Sequence, residues 1–151
     1  MKIYIGIDPG ADGGFTVMYE NGVVCKPWDN EAFTEEMRNV VVRMIAEKCQ
    51  SVCCLEKVGA MPGQGVTSMF NFGKSAGFIE GVLQANKIPY QLTPPIKWKK
   101  EYSLNSDKKK SIQVAKQLFP SVSLKRTERC TTDHDGMAES LLMAEYARRT
   151  M

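Results

Sequence analysis

Two acidic residues end apolar, strand-like segments, and their positions carry the clearest chemical signal in the sequence. Asp8 ends the alternating segment KIYIGID, and Glu56 ends the apolar run SVCCL. An ionised carboxylate is costly at the edge of an apolar sheet unless something compensates its charge. If the two strands are neighbours, both carboxylates lie side by side, and a divalent cation between them removes their repulsion. The alternative for Asp8 alone is a turn-capping aspartate.

A second acidic group lies at the start of the last predicted helix. Asp133 and Asp135 open this helix, and Glu139 follows Asp135 by one turn on the same face. Together with the strand carboxylates they form an oxygen-rich cage that suits Mg²⁺ or Mn²⁺ rather than zinc. Two such ions hydrolyse a phosphodiester without a protein nucleophile. The alternative for both aspartates is helix capping, and the only histidine, His134, is a general base, an oxyanion donor or a turn residue.

Length and composition indicate one folded domain over residues 1–151. The chain is 43% hydrophobic and 25% charged, which excludes a disordered protein. Its five cysteines are odd in number and form no CxxC pair, as is typical of reduced, buried thiols. No apolar run approaches the roughly 20 residues that cross a bilayer. We therefore expect a cytoplasmic protein without a membrane partner.

Positive charge is concentrated in one segment of the chain. Residues 97–129 carry ten basic and three acidic side chains, whereas the segments before and after it each have a net charge of −2. A basic segment in an otherwise acidic chain is what a protein needs to hold a polyanion near metal-binding carboxylates. The alternative is a solvated basic face.

The remaining pattern predicts the elements that position these groups. Strands are predicted at 2–8, 14–20, 23–27, 51–55 and 88–92, the first three as an antiparallel meander. Helices are predicted at 31–50, 67–86, 96–102, 108–119 and from 133 or 134 onward. This order favours an α/β fold with one mixed sheet and helices on both faces.

Two further features of the helices have alternative interpretations. Gly73, Gly77 and Gly81 recur every four residues in the second helix, which indicates the close approach of another backbone. That backbone belongs either to the chain's own sheet or to another molecule. Trp98, in the short basic helix, either stacks on a nucleic-acid base or anchors its helix to the core.

Three motifs, in this order and near these spacings, carry a family resemblance: IGIDPGADGG, LEKVGAMPGQG and DHDGMAESLLMAEYARR. Over essentially its whole length the chain resembles the RuvC-type Holliday-junction resolvases, most closely the small phage-encoded members. The resemblance implies an RNase H-like fold with a five-stranded mixed sheet flanked by helices. It also implies a Mg²⁺-dependent endodeoxyribonuclease, with two ions per site and Mn²⁺ as a substitute. Such an enzyme works as a homodimer that resolves four-way DNA junctions by paired phosphodiester hydrolysis.

The resemblance also assigns site residues. Asp8, Glu56 and Asp135 match the family's metal-binding acids. The family's usual fourth position falls here on Thr132, so Asp133 is the first candidate for that role and Glu139 the second. The loop after Glu56 lacks the aromatic residue with which cellular members wedge the junction, which leaves room for cleavage of other branched DNAs. The expected DNA contacts are Lys57, Lys97, Lys99, Lys100, Lys108, Lys109, Lys110, Lys125, Arg126 and Arg129.

Two other functions remain as alternatives at this stage. The first is a branched-DNA-binding module on the same fold that does not catalyse. The second is a sugar-kinase or actin-like ATPase, since a GIDPG-type turn also cradles nucleotide phosphates in those proteins. That function needs two such domains and a second phosphate loop, for which 151 residues leave no room. We therefore expect no nucleotide cofactor.

Overall fold

Three consecutive strands form an antiparallel meander on one side of the sheet. In the computed structural model, which describes residues 1–151, two further strands extend this meander in parallel beyond the first strand. The sheet order is β3-β2-β1-β4-β5, so the predicted five-stranded mixed sheet is confirmed. The strands are β1 (Lys2–Asp8), β2 (Gly14–Tyr19), β3 (Gly22–Pro27), β4 (Gln50–Glu56) and β5 (Tyr90–Thr93).

Five helices pack around the sheet, close to the predicted positions. They are α1 (Asn30–Glu47), α2 (Val66–Ala85), α3 (Pro95–Glu101), α4 (Lys108–Leu118) and α5 (Asp135–Thr150). Local chemistry sets their ends: the Ala32 amide donates to Asp29 Oδ2 at 2.8 Å before α1, and Pro95 opens α3. None of the five is both long and apolar enough to span a bilayer.

The period-two alternation of β1 divides the core into two layers. Ile3, Ile5 and Ile7 point to one face, where they pack in a cluster with α1 and α2. The even-numbered positions point to the other face, which α5 covers. Every residue of α5 from Gly136 to Ala147 is buried, so this helix is the centre of the second layer.

The backbone of α5 lies directly on β1 because a glycine faces it there. A Cβ added at Gly6 would collide with the backbone of Ser140 and Ala144. At the start of α5, a Cβ at Gly136 would collide with the backbone of Asp12 in the turn after β1. These close approaches fix the position of α5 along the sheet.

The predicted glycine stripe of α2 does not contact the sheet. A Cβ added at Gly73, Gly77 or Gly81 would meet nothing within 4 Å. Packing of this stripe against the chain's own sheet, one of the two alternatives from the sequence, is therefore wrong. The stripe lies on an open face of the helix.

Candidate metal centre

Asp8 and Glu56 lie side by side at the ends of neighbouring parallel strands. The register pairs Ile7 of β1 with Leu55 of β4, so each carboxylate belongs to the next residue of its strand. Because side chains alternate along a strand, Asp8 shares the face of Gly6 and Glu56 shares the face of Cys54. Both residues are therefore on the layer that α5 covers, as the sequence required for a shared site.

Glu139 completes a compact cluster of carboxylates with these two residues. One oxygen from each of Asp8, Glu56 and Glu139 lies within 4.8 Å of the other two. Glu139 is on α5, next to the small residues that rest on β1, and it is only 3% exposed. The close packing at Gly6 thus brings this helix carboxylate to the end of the sheet.

The positive charges of the protein compensate the negative charge of the cluster only in part. Burial, followed by the charges of Glu56 and Glu139, raises the pKa of Asp8 to about 8. Burial also raises the pKa of Glu139 above its ordinary value. Oε1 of Glu139 is buried without a hydrogen-bond partner, and the Asp8 carboxylate caps no turn. These features are typical of a site that binds a cation.

Asp135 stands at the rim of this cluster, joined to it through a lysine. Nζ of Lys108 lies 3.0 Å from Oδ2 of Asp135 and 3.8 Å from Oε1 of Glu139. Burial opposes ionisation of Asp135, but the hydrogen bond and charge of Lys108 outweigh it and lower the pKa of Asp135. Lys108, expected to contact DNA, is therefore paired with carboxylates here.

Asp133, which we expected from the sequence ahead of Glu139, is not a member of the cluster. Its carboxylate accepts a hydrogen bond from Lys116 of α4 at 2.9 Å. It lies before the first turn of α5, whereas Glu139 lies one turn inside the helix and faces the sheet. Helical periodicity counted from the small residues Gly136 and Ser140 is the signal that favours Glu139.

Neither aspartate caps α5, because His134 does. Its Nδ1 accepts the Met137 amide at 3.1 Å, and its own amide donates to the Leu124 carbonyl at 2.7 Å. Burial, with the charge of Arg126 next, lowers the pKa of His134. An imidazole nitrogen that accepts a backbone hydrogen bond is fixed in place, so His134 is the N-cap of α5.

Trp98 is fully buried and contacts the cluster directly. Its indole Nε1 donates to Oε2 of Glu56 at 2.9 Å. Of the two roles that the sequence allowed, stacking on a base is excluded by this burial. Anchoring α3 to the core is what the structure shows, and the hydrogen bond to Glu56 is a contact that the sequence did not predict.

The basic residues expected to bind DNA lie mostly on the surface, and Lys108 among them contacts the carboxylates. Lys57 follows Glu56, α3 and the start of α4 contribute lysines, and the segment before α5 contributes the rest. Apart from the half-buried Lys99, all of them are exposed, and except for Lys108 they form no ion pair. The exposed members are Lys57, Lys97, Lys100, Lys108, Lys109, Lys110, Lys125, Arg126 and Arg129.

The residues of the cluster fit a divalent, oxygen-binding cation. All the donors are carboxylate oxygens, which are the ligands that Mg²⁺ and Mn²⁺ take. The buried Oε1 of Glu139 accepts no hydrogen bond, so it is available as a ligand oxygen. No cysteine or histidine joins the cluster, which disfavours zinc.

The structure is similar in fold to solved structures of junction resolvases. It aligns with RuvC of Thermus thermophilus in complex with a Holliday junction substrate, at a TM-score of 0.58 and 14% identity, over 99% of this chain and 97% of that one. A second Thermus thermophilus RuvC structure gives a TM-score of 0.54 and 17% identity, over 97% and 96% of the two chains.

The yeast mitochondrial Holliday junction resolvase Ydc2 aligns at a TM-score of 0.51 and 16% identity, over 96% of this chain and 77% of that one. No protein-family model matches the sequence. No curated protein matches it either. At these identities the structural likeness shows the fold, which is the RNase H-like fold expected from the sequence motifs.

Proposed function

We propose that this chain is a Mg²⁺-dependent, structure-selective endodeoxyribonuclease that resolves four-way DNA junctions and cleaves other branched DNAs. The observation that carries this proposal is the cluster of Asp8, Glu56 and Glu139, with its buried, unpartnered oxygen. Support for the substrate comes from the structural neighbours, whose names describe resolvases of Holliday junctions. The surrounding basic surface suits a polyanionic substrate.

Asp8, Glu56 and Glu139 are the residues that would hold the metal, and Asp135 flanks them. We assign the fourth acidic position to Glu139 rather than to Asp133, which is committed to Lys116. Divalent ions bound there would activate a water and would stabilise the leaving oxygen of a phosphodiester. We expect Mg²⁺ as the natural ion, Mn²⁺ as a substitute, and two ions per site. The chain's own contribution is to hold three carboxylates in a fixed, mostly buried arrangement.

The exposed basic residues bind the DNA phosphates. Lys109, Lys110 and Lys100 are exposed and form no ion pair, so their charges are available to phosphate oxygens. Such contacts position the strand without reading its sequence. Lys108 is next to Asp135 and Glu139, where its positive charge partly neutralises these carboxylates when no phosphate is bound.

A homodimer provides two cleavage sites, and α2 is the surface that we assign to it. Val66, Phe70 and the three open glycines recur at spacings of three and four on one face of this helix. Val66 is 86% exposed and Phe70 is 69% exposed. Small residues between apolar ones allow two copies of the helix to approach closely, and a two-fold axis gives paired incisions.

Cleavage of a labelled four-way junction in Mg²⁺ tests this proposal. We expect paired nicks from the parent and none from Glu56→Gln or Asp8→Asn, while both variants keep their affinity for the junction. A linear duplex of the same sequence serves as the substrate control and should remain intact. Parent protein that binds the junction but cuts nothing in Mg²⁺ or Mn²⁺ supports instead the non-catalytic DNA-binding module.

A further inference from the structure

The chain has two tryptophans, and each donates its indole N–H to a side chain of a different kind. Trp28 donates to the amide oxygen of Asn30 at 2.8 Å. Trp98 donates to a carboxylate oxygen of Glu56 at 2.9 Å. Trp28 is partly exposed and packs against Phe33 in the core layer of α1 and α2. Trp98 is fully buried in the other layer, beside the carboxylates.

Glu56 has a particular need for a fixed orientation. Its carboxylate faces two others, Asp8 and Glu139, whose oxygens lie within 4.8 Å. Without a restraint, repulsion would turn the Glu56 side chain toward solvent, because this residue is only half-buried. The indole N–H holds one oxygen by a charge-assisted hydrogen bond and leaves the second oxygen free.

We propose that Trp98 is a positioning residue for metal binding, acting through Glu56. The proposal rests on the proposed function above, because it concerns the same cluster. It assigns to the indole N–H the task of directing the free oxygen of Glu56 toward the cation. A residue that orients a metal ligand commonly changes metal affinity or activity by about 10- to 100-fold when it is removed.

The support behind Trp98 is rigid enough for this task. Its helix, α3, begins directly after β5, and Thr93 at the end of β5 pairs with Glu56 in the sheet. The Lys57 amide donates to the Thr93 carbonyl at 2.8 Å, which ties the chain after Glu56 to the same strand. At the other end of α3, the Tyr102 hydroxyl donates to the Leu142 carbonyl of α5 at 2.6 Å. Donor and acceptor therefore belong to elements that are held together on both sides.

The parent protein itself provides the first test, by NMR of the two indole N–H groups. Mg²⁺ is titrated into ¹⁵N-labelled protein, and the Trp28→Phe variant assigns which resonance belongs to Trp98. We expect the Trp98 resonance to shift with saturation and the Trp28 resonance to stay in place. A Trp98 resonance that does not move while Mg²⁺ binds overturns the proposal.

The second test replaces the donor and keeps an aromatic ring. We expect Trp98→Phe to weaken Mn²⁺ binding about 10-fold or more by calorimetry, whereas Trp28→Phe binds like the parent. Junction affinity should be unchanged while turnover falls. In a Glu56→Gln background the loss caused by Trp98→Phe should disappear, because the acceptor is no longer a charged ligand. Circular dichroism without metal establishes that each variant is folded.

The outcomes separate this proposal from the proposed function. A parent that neither binds Mn²⁺ nor cuts a junction contradicts the nuclease assignment. A parent that does both, with a folded Trp98→Phe variant that binds Mn²⁺ equally well, contradicts only the role of Trp98. If Trp98→Phe does not fold, the indole titration of the parent decides between a positioning role and a merely structural one.

Discussion

Helices α5 and α2 carry the same spacing of small residues and use it in opposite ways. On α5 the small residues lie against β1, where Gly6 leaves room for the helix backbone. On α2 the three glycines face open space. The small residues are Gly136, Ser140 and Ala144 on α5, and Gly73, Gly77 and Gly81 on α2. A stripe of small residues therefore indicates that another backbone can approach the helix. The partner is identified only when a second small residue, such as Gly6 of β1, lies opposite the stripe.

The two helices also differ in what they do for the site. The close contact of α5 with the sheet brings Glu139 to Asp8 and Glu56. The packing of α5 therefore determines the geometry of the candidate metal site. The exposed stripe of α2 contributes to the site only if a second copy binds there. Substitutions on the two helices should consequently affect different observables.

The largest expected effect is the pH dependence of the free energy of unfolding, which arises from Asp8 in the layer that α5 covers. Folding raises the pKa of Asp8 from 3.8 to about 8, mainly through burial and then through Glu56. Between these values the folded protein binds more protons than the unfolded one, so metal-free stability falls as pH rises from about 4 to about 8. The shift corresponds to roughly 6 kcal/mol of the free energy of unfolding.

Asp8→Asn should flatten this profile, and so should saturating Mg²⁺ on the parent. Urea unfolding in EDTA at several pH values measures the effect. A profile for Asp8→Asn that runs parallel to that of the parent would show that the cluster is not the source of the dependence.

Substitution of one glycine by alanine at each helix contact tests the difference between α5 and α2. Gly6→Ala should lower the free energy of unfolding by about 3 kcal/mol, because its Cβ collides with the α5 backbone and overpacked cores cost this much. Gly77→Ala should raise it by up to about 1 kcal/mol, since alanine favours the helix and meets no neighbour. Urea titration at low protein concentration measures both. Equal effects of the same sign would show that the two helices do not differ in how closely their small residues are packed.

The assignment of α2 to the dimer predicts a change in association rather than in folding. Phe70→Asp should weaken self-association about 30-fold, which corresponds to a central interface residue worth about 2 kcal/mol. Val42→Asp is the matched control, because Val42 is an exposed apolar residue on another helix, α1. Sedimentation velocity measures both variants. Phe70→Asp protein that associates like the parent would remove α2 from the interface.

The smallest effect concerns the basic residues of α4, which packs against α5. Replacing Lys109 and Lys110 with alanine should lower the slope of log affinity against log salt by about 0.9 for each duplex phosphate that these lysines neutralise. Lys26→Ala on β3, outside the basic segment, should leave the slope unchanged. An unchanged slope in the double variant would mean that these lysines only face solvent.

The sequence predicted most of the fold because its signals were local. Alternation identified β1, an unbroken apolar run identified β4, and both ended at the acidic residues that meet in the structure. The fourth acid was less predictable, since Asp133 precedes α5 and Glu139 lies within it, and the acid that reaches the strands depends on where α5 begins and on its rotation against the sheet. That rotation depends on Gly6 and Gly136, which lie far apart in the chain.

The contacts of two side chains were also beyond the sequence. Trp98 and Glu56 are 42 residues apart, and only the crossing of α3 over the sheet brings the indole N–H to the carboxylate. The pairing of Lys108 with Asp135 similarly depends on how α4 packs on α5. Charge counting showed that this segment is basic but could not show which lysine pairs with the carboxylates.

The membership of Glu139 in the metal site is decided by calorimetric titration of Mn²⁺ into metal-free protein, with Glu139→Gln and Asp133→Asn compared side by side. We expect the parent and Asp133→Asn to bind with the same affinity, and Glu139→Gln to bind at least about 10-fold more weakly because a ligand is lost. Binding that survives in Glu139→Gln and disappears in Asp133→Asn would show that Asp133, and not Glu139, holds the metal.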